Sequence, residues 1–347
     1  MLPESAEVVL FAAFALAFAL VFAPAAAPRR ALLFRGGAGL AGTIAIAAVP
    51  TFELVLLTLL TLGVLNAAVD GKQQLAVRLR APVLAVAVFA MGLVLARAAG
   101  PEVLDRFAAV GLVAGVAAGI GLLPYLHPFD PEDAVTGSPV AWMAFIGPAL
   151  AVVVVAGTRG LLPAEAGGVF GAMLIGVGLL NVAWGGVAAW LTENTVAAWR
   201  YSFTADWGLA MCGFGLTVVD GRRAALLVLF SIVLCRLPLY LASPQSLRAR
   251  TATERPVNLV VAAALAGSAP FAGFAARVLL LRGATQVFWP LGLVLAVGML
   301  LWLPGSLRLG RSLGVPRGRQ ALGVALVLAL NVAVGLYPLP LLEAARL

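Results

Sequence analysis

An eleven-residue segment near the end of the chain decides the fold: Gly267-Ser268-Ala269-Pro270-Phe271-Ala272-Gly273-Phe274-Ala275-Ala276-Arg277. It lies in an apolar run over residues 257–281, which is long enough to cross a bilayer. Pro270 has no amide hydrogen and is flanked by Gly267 and Gly273, so we expect the helix to break there. Arg277 follows in apolar sequence. A broken helix beside a buried charge is costly in lipid, and such features usually mark an ion or substrate path.

The composition is that of a polytopic membrane protein. The 347 residues are 63% hydrophobic and 11% charged, with a mean hydropathy of +1.06, whereas soluble domains have about 25% charged residues. Nearly the whole chain is needed for the spans, so we expect a single transmembrane domain. The net charge of +8 comes from short connectors, where basic residues set topology and meet lipid headgroups; it does not indicate nucleic-acid binding.

No redox centre, metal site or catalytic residue is predicted. The chain has one histidine and two cysteines. Cys212 and Cys235 both lie in apolar runs, which favours buried free thiols over a disulfide or a metal pair. The sequence has no cysteine–histidine cluster for haem, an iron–sulfur centre or zinc, no phosphate-binding glycine loop and no nucleophile–base pair. We therefore expect no cofactor on this chain.

The N-terminal apolar run is predicted to be an uncleaved span. Residues 23–27 resemble the small-residue cleavage site of a signal peptide. A signal peptide has a basic segment before its apolar region, but here that segment carries Glu4 and Glu7.

Apolar runs of about 20 residues predict twelve transmembrane helices. They lie near residues 7–27, 31–49, 51–69, 81–99, 104–123, 139–158, 168–191, 202–219, 223–242, 257–281, 285–307 and 319–340. The second run contains Arg35 and is separated from the third only by Pro50. Eleven spans, one of them a long tilted helix, therefore stay open as an alternative.

The loop charges predict that both termini lie outside the cytoplasm, in a protein of the inner (plasma) membrane. With twelve spans, thirteen basic residues share one side and seven the other, and the more basic side is cytoplasmic. The thirteen are Arg29, Arg30, Arg35, Lys72, Arg78, Arg80, Arg248, Arg250, Arg255, Arg308, Arg311, Arg317 and Arg319. The seven are Arg97, Arg106, Arg159, Arg222, Arg223, Arg282 and Arg346. Omitting the second span would place Arg29, Arg30 and Arg35 opposite the later basic loops, so twelve spans fit better.

One acidic connector, residues 124–134, lies on the more basic side. Its proline density excludes a regular helix. Two interpretations stay open. The connector is either a solvated or interfacial loop, or a second helix break at Pro124 that leads out of the span at 104–123.

Four ionisable residues inside apolar runs are the candidate functional residues, because a charge at the bilayer centre costs about 2.5–3.5 kcal/mol on insertion scales. Glu53 is either an interfacial residue at a helix start or a buried group that handles protons or faces a partner. Asp206 is either such a group or a helix cap. Arg236 either snorkels to the headgroups or lies inside. Arg277 is predicted to line a path, since the break beside it frees backbone carbonyls and admits water.

Several motifs occur along the chain in the order found in one family of membrane proteins. They are Phe52-Glu53-Leu54, residues 124–140, Gly147-Pro148, Tyr201-Ser202 with Gly208, residues 236–241, the segment 267–277 and Tyr337-Pro338. With these motifs the chain resembles the antiporter-like membrane subunits of respiratory complex I and of Mrp-type cation/proton antiporters, above all the smallest complex I member. The resemblance covers about residues 45–340.

The resemblance implies an all-helical membrane fold of two inverted repeats of five helices, each with a broken helix, joined by buried lysines that relay protons. It implies helix breaks at Pro124 and at Pro270 with Gly273, and a proton-handling role for Glu53. It divides the chain into N-terminal helices (1–50), a first half (51–158), a second half (167–307) and a C-terminal helix (318–347). Termini outside the cytoplasm are implied too, as the loop charges predict independently.

The chain departs from the family at its lysines. The lysine of the first broken helix falls on Gly119 and the next on Ala149, while the lysines of the second break and the connecting helix fall on Arg277 and Arg236. The chain's single lysine is Lys72, in a loop. Burial pushes lysine toward neutrality so that it can pass protons, whereas arginine stays charged. The resemblance therefore implies a first half without a relay and a second half whose charges do not titrate.

The repeats suggest a pairing hypothesis. Glu53 and Asp206 would occupy corresponding positions near helix starts, and Gly119 and Arg277 would correspond at the breaks. Asp206 and Arg277 would then compensate each other, whereas Glu53 would have no basic partner in its own half and would face a neighbouring subunit.

The expected function is that of a membrane-arm subunit in a complex I-like proton-translocating quinone oxidoreductase. Its role would be structural or bridging, or a partial proton path through Arg236 and Arg277, with other membrane subunits and lipid as partners. The alternative is a subunit of a cation/proton (Mrp-type) or bicarbonate-linked transporter, in which the arginines bind an anion. A lipid-modifying enzyme would need a catalytic group at a membrane face, and His127 with Asp130 is the only candidate.

Overall fold

A computed structural model describes residues 3–22, 29–69, 75–98, 102–124, 146–242, 256–314 and 316–346. All regular structure in these ranges is helical, and they contain no strand. The all-helical membrane fold predicted from composition is therefore confirmed. The acidic connector beyond Pro124, with His127 and Asp130, and the loop that holds Lys72 lie outside the described residues.

The helices follow one another with short connections. In chain order they are α1 (Pro3–Phe22), α2 (Arg29–Ala48), α3 (Phe52–Val69), α4 (Leu75–Arg97), α5 (Glu102–Ile120), α6 (Gly147–Leu161), α7 (Ala164–Leu191), α8 (Thr195–Gly215), α9 (Val219–Ala242), α10 (Pro256–Ala266), α11 (Ala272–Val287), α12 (Trp289–Leu301), α13 (Leu303–Ser312), α14 (Arg319–Leu336) and α15 (Leu339–Ala344).

Each of the twelve predicted spans overlaps at least one of these helices. Within the described ranges, six helical segments are long and apolar enough to cross a membrane: α1, α5, α7, α9, α12 together with α13, and α14. Shorter apolar segments lie within α2 (Gly36–Ala48), α3 (Phe52–Leu65) and α4 (Pro82–Arg97), and α6 and α10 are shorter apolar helices. Because α2 ends at Ala48, α3 begins at Phe52 and the two pack together, residues 29–69 form two helices and not one long tilted helix.

Two of the differences between predicted and observed boundaries have a clear cause. The span predicted at 202–219 begins seven residues earlier, at Thr195, because the helix includes the buried Arg200, which the apolar criterion excluded. The span predicted at 257–281 is divided between α10 and α11 and continues to Val287. Arg282 ended the predicted run, but a charged residue near a membrane surface does not end a helix.

Helix α9 lies at the centre of the molecule, with all of residues 224–242 buried. It packs against α8, α11 and α1. Helix α1 also contacts α2, α6 and α14, and Phe11 of α1 meets Phe230 of α9 edge to face, with ring centroids 5.6 Å apart. Glu4, in the first turn of α1, pairs with Arg222 in the first turn of α9. The N-terminal run is thus a helix that packs against both predicted halves.

Two helices, α5 and α10, end in the same way. Each is followed by a glycine with positive φ, Gly121 (87°) and Gly267 (61°). The next amide bonds back five residues, from Leu122 to Ala117 and from Ser268 to Ala263, which is the Schellman arrangement that favours glycine. A proline follows each glycine by three residues. The chain resumes as α11 after Pro270, whereas the continuation after Pro124 lies outside the described residues.

Candidate functional site

A π-helical turn in α9 directs Arg236 into the protein interior. The turn spans Ile232–Arg236, and the amide of Leu237 bonds to the carbonyl of Ile232, five residues back. Pro238 follows and has no amide hydrogen to donate to the preceding turn, and the α-helix then continues to Ala242. The Arg236 side chain is only 2% exposed.

Arg236 forms a buried ion pair with Asp206 of α8. The Arg236 Nε and Nη2 atoms lie 2.7 Å and 2.6 Å from Asp206 Oδ2. The Asp206 side chain is also buried. A buried charge is strongly destabilising when alone, so each of these side chains requires the other.

The carbonyl of Leu265 joins this pair to the second helix break. Leu265 lies in the last turn of α10, where backbone carbonyls lack intrahelical donors. Its oxygen accepts hydrogen bonds from Arg236 Nη2 at 3.2 Å and from Trp302 Nε1 at 2.8 Å. The Trp302 ring also lies beside the guanidinium, with Arg236 Cζ 5.0 Å from its centroid, as in a cation–π contact. The break thus supplies an acceptor that a continuous helix would not.

Arg277 lies at the same break without joining the ion pair. It is half-buried on α11, and a Cβ atom on Gly267 would lie 2.8 Å from its Cζ. Gly267 is therefore required both for its positive φ and for the space that the guanidinium occupies. Arg277 and the pair Asp206–Arg236 line one small cavity of about 10 Å³.

The proposed compensation of Asp206 by Arg277 is corrected by this geometry. Asp206 bonds to Arg236, because the π-helical turn of the adjacent helix α9 brings the guanidinium to α8. Among the described residues, Arg277 forms no ion pair and no hydrogen bond. It shares the field of the pair, in which Asp206 attracts it and Arg236 repels it.

Helix α14 contacts the second break through Asn331 and Gly335. Asn331 accepts a hydrogen bond from the amide of Ala272 at 2.9 Å and donates one to the Cys235 sulfur in the π-helical turn. One turn further on, Gly335 packs so closely on the backbone of Pro270 that a side chain there would overlap it. Neither residue was predicted from the sequence, although an asparagine four residues before a glycine in an apolar span was a usable signal.

The end of α5, where the first break is predicted, has the same kind of support, and the described residues beside it are apolar. Asn181 of α7 accepts a hydrogen bond from the amide of Leu123 at 2.9 Å. A Cβ atom on Gly119 would lie 2.8 Å from Leu150 and 3.5 Å from Leu59. Ala149 is fully buried. In the described part of the first half, apolar side chains thus surround Gly119 and Ala149, where the resemblance implied lost lysines.

Glu53 lies apart from this cluster, at the surface. It pairs with Arg97, and the two side chains are 59% and 53% exposed. The expectation that Glu53 has no basic partner in its own half is wrong, because α3 and α4 pack as a hairpin that brings the end of α4 to the start of α3. Glu53 does not line the cavity shared by Asp206, Arg236 and Arg277.

Carboxylates accompany most of the arginines on the side predicted to be external. Among the described residues, the ion pairs there are Glu53–Arg97, Glu102–Arg106, Glu165–Arg106, Glu4–Arg222 and Asp220–Arg282. On the side predicted to be cytoplasmic, Arg308 instead donates to backbone carbonyls at the end of α7, including that of Glu193 at 2.9 Å. This is a favourable place for a cation, since helix C-termini carry partial negative charge.

Three solved structures share the fold over nearly the whole chain. In the Mrp complex from Dietzia sp. DQ12-45-1b, a chain superposes with a TM-score of 0.76 at 14% identity, over 99% of this chain and 44% of that one. In the membrane-bound sulfane sulfur reductase (MBS), an archaeal respiratory membrane complex, the TM-score is 0.72 at 19% identity, over 96% and 63%. In respiratory complex I from Thermus thermophilus with bound NADH, it is 0.72 at 16% identity, over 99% and 83%.

The chain has the fold of the antiporter-like membrane subunits. The resemblance carried by the motifs is confirmed at the level of the fold. The chain spans less than two thirds of the matched Mrp and reductase chains, at 44% and 63% of their lengths. No protein-family model and no curated protein matches the sequence.

Proposed function

We propose that the chain is an antiporter-like subunit in the membrane arm of a complex I-like, proton-translocating quinone oxidoreductase. Its role there is to bridge neighbouring membrane subunits and not to relay protons through lysines. The fold supports this proposal, since chains of complex I and of a respiratory reductase complex superpose over nearly the whole length. We further propose that electrons are carried by other subunits, with no cofactor on this chain.

The observation that carries the proposal is the buried Asp206–Arg236 pair at the second break. A relay residue must lose and regain a proton, and arginine keeps its proton in essentially any protein environment. Arg236 also donates to Asp206 and to the Leu265 carbonyl, which fixes it in place. The pair therefore serves to anchor α8, α9 and α10 to one another, and hydration at this break is at most a partial path.

The packing of the first half supports the same conclusion. A lysine at Gly119 would meet Leu150 and Leu59, and Ala149 is enclosed. A proton path needs polar groups or water, and an apolar space of this kind excludes both. We propose that the first half has lost its relay and retains the fold as a packing surface.

We propose an inner-membrane location with both termini outside the cytoplasm. The thirteen-to-seven distribution of basic residues supports this orientation. Glu53 and Arg97 would then lie at the external end of α3 and α4. Their exposure is compatible with a contact to a neighbouring subunit at that surface.

The second candidate is a subunit of a cation/proton (Mrp-type) or bicarbonate-linked transporter. It is favoured by the TM-score of 0.76 to a chain of the Mrp complex and by the excess of positive charge at the second break. In that assembly the same arginines would hold an anion.

Purification from native membranes in a mild detergent, followed by identification of every co-purifying chain, distinguishes the two candidates. The proposal predicts subunits of a quinone reductase or hydrogenase in fixed ratio. Recovery of the chain alone, or with other small membrane proteins only, would favour the transporter. A Glu53→Gln variant purified in parallel shows whether the exposed pair with Arg97 contributes to the assembly.

A further inference from the structure

We propose that the second helix break binds one small monovalent anion of the halide class between Arg236 and Arg277. The inference goes beyond the proposed function, because it concerns a site within this chain that either candidate assembly would contain. It rests on the charges, the open hydrogen-bond donor and the size of the cavity at the break.

The cavity has an excess of one positive charge. Arg236, Arg277 and Asp206 are the charged side chains that line it, and both arginines stay protonated. Asp206 is engaged through Oδ2 with Arg236. No described carboxylate forms an ion pair with Arg277. An uncompensated charge away from water is strongly unfavourable, so a counter-ion at this position stabilises the fold.

Arg236 offers an unused donor at the site. Its Nε and Nη2 atoms donate to Asp206 and Leu265, whereas its buried Nη1 has no partner among the described residues. Buried donors without a partner are rare and call for a ligand, an ion or a water. The hydroxyl-bearing Ser231 lines the same cavity. One ion seated there would meet Arg236 Nη1, Arg277 and the Ser231 hydroxyl.

The size of the cavity selects the class of anion. Its volume of about 10 Å³ corresponds to one sphere the size of a water molecule. A large polyatomic anion such as sulfate would need a much wider opening, whereas a single halide requires only a small movement of the half-buried Arg277. A water molecule fits but leaves the positive charge uncompensated, which is why the geometry points to an anion.

The first test is thermal unfolding of the purified protein, with whatever subunits accompany it, in chloride and in gluconate at equal ionic strength. Binding to the folded state alone predicts a saturable rise in Tm with chloride, of about 2–4 °C or more. The Arg277→Gln variant is expected to lose this chloride dependence. Arg282→Gln is the matched control, because Arg282 lies on the same helix but pairs with Asp220 outside the cavity, and it should retain the full shift.

Equal Tm values in chloride and gluconate, or the same chloride shift in wild type and Arg277→Gln, would overturn the proposal. If Arg277→Gln does not fold, wild-type crystals grown in bromide decide the matter. An anomalous peak between Arg236 and Arg277 is expected, and an ordered water without anomalous signal would refute the proposal. Neither measurement depends on which subunits co-purify, so the anion site and the proposed function stand or fall separately.

Discussion

The predicted first helix break, at residues 121–124, and the second, at residues 267–271, begin with the same backbone design but differ in the described side chains around them. Each begins at a glycine with positive φ and is held by an asparagine from another helix, Asn181 or Asn331. Beside the first break, Leu150 and Leu59 pack over Gly119. The second encloses Asp206, Arg236 and Arg277.

This difference shows that a broken helix and a charge path are separable features. The backbone of a break is satisfied by caps and amide side chains, which need no charge. The charges at the second break come from neighbouring helices, α8 and α9, and from the second turn of α11. A chain can therefore lose the charged side chains at one break and keep the backbone structure of that break.

The largest effect is expected from removing the carboxylate of the charged break. Asp206→Ala leaves Arg236 buried without its partner, which should cost about 3–5 kcal/mol of stability. The fall in Tm of the purified protein measures it. The double variant Asp206→Leu with Arg236→Met should recover most of the loss, because a well-packed apolar pair can replace a buried ion pair. A single variant as stable as wild type would show that Arg236 has another counter-charge.

Placing a lysine at the apolar break should have the next largest effect. In Gly119→Lys the new side chain meets Leu150, and overpacking alone costs about 1–3 kcal/mol. Adding Leu150→Ala should restore part of the yield of folded protein, which is measured by size-exclusion chromatography in detergent. Normal folding of the single variant would contradict the apolar filling described here.

Replacing either asparagine should lower stability by about the same amount, although only the second break encloses charged side chains among the described residues. Asn331→Ala and Asn181→Ala each leave a backbone amide at a break without its acceptor, at a cost of about 1–3 kcal/mol. Thermal unfolding of the two variants side by side tests whether the breaks are equivalent structurally. A loss confined to Asn331→Ala would mean that only the charged break needs its support.

The smallest effect on stability is expected at Glu53. Its pair with Arg97 is exposed at both ends, and exposed ion pairs contribute less than about 1 kcal/mol. Glu53→Gln should therefore unfold at nearly the wild-type temperature. If both assembly and proton transport are also unchanged, Glu53 has no functional role.

Local sequence predicted the positions of the spans and the second break. Apolar run length locates helices, and Pro270 between Gly267 and Gly273 allows no continuous helix. Each of the twelve runs overlaps a helix, and the chain has the antiporter-like fold that the motifs indicated. These features depend on neighbouring residues in the chain, which is why a single sequence is sufficient.

Side-chain partners were not predictable in the same way. Trp302 and Asn331 reach the second break from distant parts of the chain, and the bond from Trp302 to the Leu265 carbonyl spans 37 residues.

 The Asn331–Ala272 bond spans 59 residues and the Glu53–Arg97 bond 44, so both depend on how the helices pack. The pairing of Asp206 with Arg236 depends on the π-helical turn, whereas the repeat symmetry suggested Arg277. Internal symmetry predicts which helices correspond, but it does not predict which side chains meet.

The central claim is that the arginines at the second break do not release their protons, so that this chain passes no protons by itself. Proton movement into vesicles that contain the purified chain, with a membrane potential imposed and a pH-sensitive dye enclosed, tests this claim most directly. The account predicts the same flux as in protein-free vesicles, with or without sodium or bicarbonate. A sodium- or bicarbonate-dependent proton flux carried by the chain would contradict it and would favour the transporter.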